Sequence, residues 1–153
     1  MKKIALLCCA FILGACLAEP APAPTPAATT SAPFVIKQEE NPYTPQPGDT
    51  GKRQDEVILT SMDLSERSDL DPLQNEFHVL GSMPSTCNEL RIKVNPPNDA
   101  YQIFIDIYSI VDINLKCDNV FQQFEASILF GEYSSGVYSI WVNSRFVGTI
   151  VSY

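Results

Sequence analysis

The cysteines are the residues of this chain whose type and spacing point most directly to chemistry. There are five; three lie within the first sixteen residues, and the other two are Cys87 and Cys117. Neither of these two belongs to a Cys-x-x-Cys motif, and the single histidine, His78, cannot complete a zinc site with them. Two cysteines allow one intramolecular pairing, so we predict a structural Cys87–Cys117 disulfide, with two free thiols as the alternative.

Residues suited to acid–base or metal chemistry are sparse. His78 lies in a strand-like stretch, and no nucleophile motif such as Gly-x-Ser-x-Gly accompanies it. Residues 69–76 have the composition of a calcium loop, with Asp69 and Asp71 two positions apart and Glu76 further on. They lack the acidic residue at the next position of that spacing and the glycine of a helix–loop–helix site. No phosphate-binding loop is present. We therefore predict a chain that is not an enzyme, with no catalytic residue, no cofactor and no metal ligand; a calcium ion held between loops is the alternative.

The first sixteen residues have the composition of an export signal. Residues 1–3 are basic in character, residues 4–13 are almost wholly apolar, and small residues then lead into Cys16. The apolar run is shorter than the about 20 residues that a membrane-spanning helix needs, and it is typical of a secretory signal. Residues 13–16, Leu-Gly-Ala-Cys, resemble a bacterial lipobox.

The lipobox resemblance implies that residues 1–15 are removed as a signal peptide and that Cys16 becomes the lipidated first residue. The protein would then be exported and anchored to a membrane of the bacterial cell envelope through the lipid on Cys16, on the extracytoplasmic side. An ordinary signal cut after Ala18, which releases a soluble protein, is the alternative. Export places Cys87 and Cys117 in an oxidising compartment, which favours their disulfide.

The charge of the chain is acidic. It has 10 lysines and arginines against 18 aspartates and glutamates, and the net charge of −8 becomes about −10 once Lys2 and Lys3 leave with the signal. Such a charge disfavours binding to nucleic acid or to anionic lipid headgroups. We therefore expect the partner to be a protein, a peptide or an envelope polymer.

Residues 16–52 differ in composition from the rest of the chain. Eight of the twelve prolines lie between Pro20 and Pro47, among many alanines, threonines and serines. A segment of this kind cannot bury a core and samples the extended polyproline II conformation. We predict a lipidated, disordered tether over 16–52 and one folded domain over 53–153, which is long enough to have its own core.

The folded domain has the hydrophobic pattern of β-strands. Residues 89–95 alternate, with Leu90, Ile92 and Val94 on one face, and residues 101–111 place isoleucines at every second position. Seven such segments, separated by turn residues, predict an all-β, seven-stranded antiparallel sandwich. The segments span residues 55–62, 76–81, 89–95, 101–111, 121–130, 137–143 and 146–153.

The two cysteines fit this arrangement of strands. Residues 89–95 and 101–111 are expected to form a hairpin across the proline-rich turn at 96–99. Cys87 precedes the first of these strands and Cys117 follows the second, so both fall at the same end of the sandwich. The disulfide is therefore expected to fix the loop 112–120 at that end.

Residues 134–140, Ser-Ser-Gly-Val-Tyr-Ser-Ile, are similar to the tyrosine corner of immunoglobulin-like domains, Asp-x-Gly-x-Tyr-x-Cys. The terminal hairpin also resembles that of bacterial surface domains of immunoglobulin-like or fibronectin type III-like shape. The resemblance implies an immunoglobulin-like sandwich in which Tyr138 directs its hydroxyl to nearby backbone and Gly136 is structural. Ile140 stands where that family has a core cysteine, so the family's inter-sheet disulfide is absent.

The terminal hairpin also carries a candidate interaction surface. A two-residue turn at 143–144 places Trp141 opposite Phe146 and Ile140 opposite Val147, so Trp141 and Phe146 point away from the core. Exposed aromatic patches mark interaction surfaces; the alternative is that a neighbouring loop or residues 34–36 cover this one.

The sequence predicts a surface-tethered, non-enzymatic binding module of the bacterial envelope. Its candidate interaction surface consists of Trp141, Phe146 and Ile150. The first alternative is an inhibitor or accessory subunit of an envelope protease, which would use the loop 112–120 as a probe. The second alternative is a structural spacer domain.

Overall fold

The computed structural model describes residues 32–153. The predicted signal peptide over 1–15, the predicted lipidation site Cys16 and the first part of the predicted tether lie outside the described residues. Residues 32–153 belong to one compact unit. The described part contains ten strands and one short 3-10 turn (Pro47–Asp49), but no α-helix. The strands are β1 (Val35–Lys37), β2 (Arg53–Asp55), β3 (Ile58–Arg67), β4 (Gln74–Met83), β5 (Glu89–Val94), β6 (Gln102–Val111), β7 (Gln122–Leu129), β8 (Glu132–Tyr133), β9 (Gly136–Val142) and β10 (Arg145–Ser152).

The ten strands form three sheets. In the three-stranded sheet, β4 lies between β3 and β7, and both pairs are antiparallel. In the five-stranded sheet, β10 pairs with β9, β9 with β6, and β6 with β5 and β2. A short two-stranded sheet joins β1 to β8.

The two larger sheets share one hydrophobic core, which makes the domain sandwich-like. Phe77 of β4 and Ile128 of β7 belong to the same buried cluster as Ile105 of β6 and Ile140 of β9. Burying an aliphatic side chain of this size contributes about 1.5–3 kcal/mol, which is why period-two alternation determines which face of each strand turns inward. The predicted inward faces of β5 and β6 are indeed buried, except that Val94 is half-buried.

The strand count and the strand directions differ from the prediction. Each of the seven predicted segments overlaps a strand, but β1, β2 and β8 were not predicted, because two or three residues are too few to show a period. The prediction that all pairs are antiparallel is wrong for β6 and β9, which are parallel. This follows from the order of the sheet, in which β6 rather than β5 lies next to β9.

One edge of β6 is completed by a side chain. β9 pairs with this edge at residues 102–105 and β2 pairs with it at residues 109–111. Between them, the Asn143 amide accepts a hydrogen bond from the Ile107 N–H at 2.8 Å and donates one to the Ile107 carbonyl at 2.9 Å. Asn143 and Ser144 have φ values of 45° and 67°, as a two-residue hairpin turn of type I′ requires.

The folded unit begins earlier than the predicted boundary at residue 53. After β1, Glu40 exchanges two backbone hydrogen bonds with Leu129, at 3.0 and 3.2 Å. The chain then crosses to β5, where the Ile92 N–H donates to the Tyr43 carbonyl at 2.9 Å and the Asn41 amide donates to the Ile92 carbonyl at 2.6 Å. Residues 34–52 therefore pack against the domain through backbone contacts. Their proline-rich composition gives no sign of these contacts.

Candidate interaction surfaces

Three aromatic rings lie side by side on the outer face of the five-stranded sheet. Phe104 of β6 pairs with Trp141 of β9, which pairs with Phe146 of β10. The ring centroids are 6.3 Å apart for the first pair and 5.4 Å apart for the second. Phe104 is 37% exposed, Phe146 is 50% exposed, and Trp141 is half-buried between them. We call these three residues the aromatic strip.

The sequence prediction found two members of the aromatic strip and missed Phe104. The opposed position of Trp141 and Phe146 is confirmed. Phe104 was missed because its contact with Trp141 depends on the parallel pairing of two strands that are distant in sequence. One signal was present, since Phe104 lies between the inward-facing Ile103 and Ile105 and therefore has to point outward.

Ile150 does not belong to the exposed surface, so that part of the prediction is wrong. A bulge after Phe146 places Gly148, rather than Val147, opposite Ile140. Because one extra residue reverses the face of every later residue in a strand, Ile150 comes to lie opposite Tyr138 and is only 4% exposed.

A polar groove of about 770 Å³ lies next to the aromatic strip. Asp106 and Tyr108 line it from β6, and Lys93 lines it from β5. Both β6 residues are on the same face of the strand as Phe104, because they follow it at intervals of two. Asp106 lies opposite Lys93 and accepts a hydrogen bond from the Asn95 amide at 3.0 Å. The strip and the groove together give this face an apolar part and a polar part.

The predicted disulfide between Cys87 and Cys117 is confirmed, with the two Cα atoms 5.8 Å apart.

The Asp112 carboxylate accepts two hydrogen bonds from Asn114, one from the backbone N–H and one from the side-chain amide, both at 2.9 Å. These hydrogen bonds lower the pKa of Asp112.

The loop that follows β6 also exposes apolar side chains that the sequence prediction did not single out. Residues 112–121, which we call the pinned loop, expose four apolar side chains by 58–66%: Ile113, Leu115, Val120 and Phe121. The loop is therefore fixed at the disulfide and apolar at its surface.

Tyr138 makes the contact that its resemblance to a tyrosine corner implies. Its hydroxyl donates to the Ser134 carbonyl at 2.6 Å and lies 2.9 Å from the Ser134 hydroxyl, which also accepts from the Phe34 N–H at 3.1 Å. Gly136 is required next to it, since a Cβ atom there would come within 2.7 Å of the Tyr101 ring. Both residues thus organise the turn before β9.

The single histidine, His78, lies on a strand of the three-stranded sheet. The His78 Nε2 atom on β4 is 3.0 Å from a carboxylate oxygen of Glu125 on β7, on the outer face of the three-stranded sheet. Among residues 32–153, no group of three or more histidine, cysteine, aspartate or glutamate side chains is placed to hold a metal ion.

An ion-pair network holds the 3-10 turn to β5. The Arg91 guanidinium donates to both carboxylate oxygens of Asp49, each at 2.7 Å, and to Glu89 at 2.9 Å. The bonds from Arg91 lower the pKa of Asp49 to about 2. Both side chains of the Asp49–Arg91 pair are largely buried. The network fixes residues 47–49, which the sequence prediction assigned to the tether.

No protein-family model matches this chain, and the comparisons with curated proteins and with solved structures found no match. Within residues 32–153, no helix is long and apolar enough to cross a membrane.

Proposed function

We propose that this protein is a non-enzymatic binding module and that the aromatic strip contacts its partner. The observation that carries the proposal is contiguity: three rings on three neighbouring strands form one outward-facing surface. A folded domain gains nothing from leaving two phenylalanine rings substantially in water, whereas burial of such rings against a partner supplies binding free energy.

The proposal includes the location of the protein. The lipobox resemblance supports lipidation of Cys16 and anchoring to a bacterial envelope membrane, on the extracytoplasmic side. The net charge of −8 supports a protein, peptide or envelope polymer as the partner rather than nucleic acid. An immunoglobulin-like classification is supported by the Tyr138–Ser134 contact and opposed by the parallel pairing of β6 with β9.

The test is chemical crosslinking of the anchored protein in its native cells, followed by identification of what copurifies. We expect one partner above background, lost in a Trp141→Ala/Phe146→Ala variant. The matched control is Phe34→Ala, since Phe34 is 54% exposed and lies outside the strip. Thermal unfolding of all three proteins establishes that the loss is not caused by misfolding.

Two outcomes would contradict the proposal. Capture of the same partner by the Trp141→Ala/Phe146→Ala variant would exclude the strip as the binding surface. Absence of any partner would favour the structural spacer.

A second candidate function, inhibitor or accessory subunit of an envelope protease, is favoured by the exposed apolar side chains of the pinned loop. If it is correct, an Ile113→Ser/Leu115→Ser variant loses a protease partner that the strip variant retains.

A further inference from the structure

One edge of the three-stranded sheet is open along β7. This strand pairs with β4 on one side, residue by residue from Gln122 to Leu129, without a bulge. On its other side, the backbone of Leu129 bonds to Glu40. Backbone polar groups alternate between the two sides of a strand, so those of Gln123, Glu125 and Ser127 face the same open side as those of Leu129.

The open groups are almost without partners in the described part of the chain. One carbonyl, that of Gln123, accepts a 3.2 Å bond from the neighbouring Gln122 side chain. The side chains of Gln123, Glu125 and Ser127 are exposed, and only one of them is charged. Proteins usually protect such an edge with lysine, proline or a bulge, and this stretch of β7 has none of them.

The protein itself shows that this edge accepts an extended segment. Its own residues 35–40 run antiparallel to the chain over residues 129–133, first as β1 on β8 and then at the Glu40–Leu129 bridge. At Asn41 the segment leaves the edge and crosses to β5. The position that it leaves free continues directly along Ser127, Glu125 and Gln123.

Apolar side chains flank the open edge. Val120 and Phe121 immediately precede β7 and are 60% and 59% exposed. Open backbone groups supply affinity in strand addition, and neighbouring side-chain contacts supply specificity.

We propose that this edge binds an extended, apolar segment of a partner protein, which adds to the three-stranded sheet as a fourth strand beside β7. The segment would cover Val120 and Phe121 and place a basic side chain near Glu125. A second copy of this chain fits less well, because edge-to-edge pairing would bring together two Glu125 carboxylates and two chains of net charge −8. The site lies on the other sheet from the aromatic strip and does not depend on it.

The test begins with random eight-residue peptides displayed on phage and selected against the full chain. Enriched peptides are synthesised, and their dissociation constants are measured by calorimetry. We expect alternating apolar residues, a basic residue, and slowed hydrogen exchange at the amides of Gln123, Glu125 and Ser127. Methylation of the peptide's backbone nitrogens at every second position should weaken binding roughly tenfold, the equivalent of one or two lost hydrogen bonds. Methylation at the intervening positions should not.

A pair of matched variants tests the apolar flank. Val120→Ser should weaken peptide binding several-fold, whereas Val137→Ser should not, although Val137 is 59% exposed. The proposal is overturned if no peptide is enriched, or if methylation in both registers is tolerated. It is also overturned if Trp141→Ala/Phe146→Ala abolishes binding while Val120→Ser leaves it intact, since that result assigns the peptides to the aromatic strip.

Discussion

Tyr138 combines a fully buried ring with a hydroxyl that bonds to Ser134. We expect Tyr138→Phe to lower the free energy of unfolding by about 1–2 kcal/mol, because the Ser134 groups lose a buried partner while the ring packing is kept. Urea unfolding measures the change. Tyr108→Phe is the control: Tyr108 is half-buried, and its hydroxyl bonds to no residue that the structure describes, so this change should have little effect. Equal losses for both variants would contradict the role given to the Tyr138 hydroxyl.

The Asp49–Arg91 pair makes stability depend on pH in a defined window. Arg91 lowers the pKa of Asp49 from 3.8 to about 2 in the folded protein. The carboxylate therefore contributes stability above pH about 4, and this contribution is lost as the pH falls toward 2. Melting temperatures measured from pH 6 to pH 2 should show Asp49→Asn less stable than the parent at pH 6, with the gap closing toward pH 2.

Asp69 provides the matched control for this pH effect. Its pKa is also lowered to about 2, by hydrogen bonding to Arg67, but its side chain is 63% exposed. Exposed pairs contribute little because water screens them, so Asp69→Asn should stay close to the parent throughout. A larger effect for Asp69→Asn than for Asp49→Asn would contradict this account.

Sequence reasoning at the scale of single residues reached Tyr138 and not Asp49. Tyr138 and Ser134 lie four positions apart, so a local motif contains the whole contact. Asp49 and Arg91 lie 42 positions apart, and the contact exists only because the chain before β2 packs against β5. The local sequence Gln-Pro-Gly-Asp that ends at Asp49 indicates a turn, but it contains no sign of the contact with Arg91.

At the scale of elements, Asn143 fills the gap between β9 and β2 along one edge of β6. Ile107 has no strand partner on this edge, and the Asn143 side-chain amide bonds to its N–H and its carbonyl instead. We expect Asn143→Gly to cost about 1–3 kcal/mol for the two lost hydrogen bonds, since glycine keeps the positive φ. Asn143→Ala should cost about 1 kcal/mol more, because alanine disfavours this conformation. Chemical unfolding of the two variants separates these contributions, and equal stability of Asn143→Gly and the parent would refute the amide's role.

The disulfide joins Cys117 in the pinned loop to Cys87, which lies just before β5, across a separation of 30 residues. The Cys87→Ser/Cys117→Ser variant should lose roughly 3–4 kcal/mol of stability in the chain-entropy model. Its pinned loop should also exchange amide hydrogens faster. Reduction of the parent protein should reproduce both effects; reduction without any change in unfolding would count against a structural role.

Alternation predicted the inward faces of β5 and β6 because burial is repeated at every second residue. The same reasoning failed at Ile150, because the bulge after Phe146 adds one residue that the pattern of apolar and polar residues does not reveal. Likewise, Phe104 joins Trp141 only through the order of strands in the sheet. Local periodicity determines faces, whereas the candidate site depends on pairings between distant strands.

For the whole molecule, residues 32–52 are part of the folded unit. A chain that begins at Arg53 lacks β1, the Glu40–Leu129 bridge and the Asp49–Arg91 pair. We expect it to unfold at a lower temperature and to aggregate more readily than a chain that begins at Ser31, because it exposes further sheet edges. Thermal unfolding and light scattering compare the two, and identical behaviour would show that residues 31–52 contribute nothing to the domain.

The pairing of β1 with β8 sets an order in time. A ribosome makes Val35 long before Tyr133, its partner across the small sheet. During synthesis β1 therefore has no partner strand until almost the entire domain has been made. The parallel pairing of β6 with β9 likewise cannot form until β9 has been made. Contacts between such distant positions form slowly, so the two-stranded sheet is completed only after the larger sheets have most of their strands.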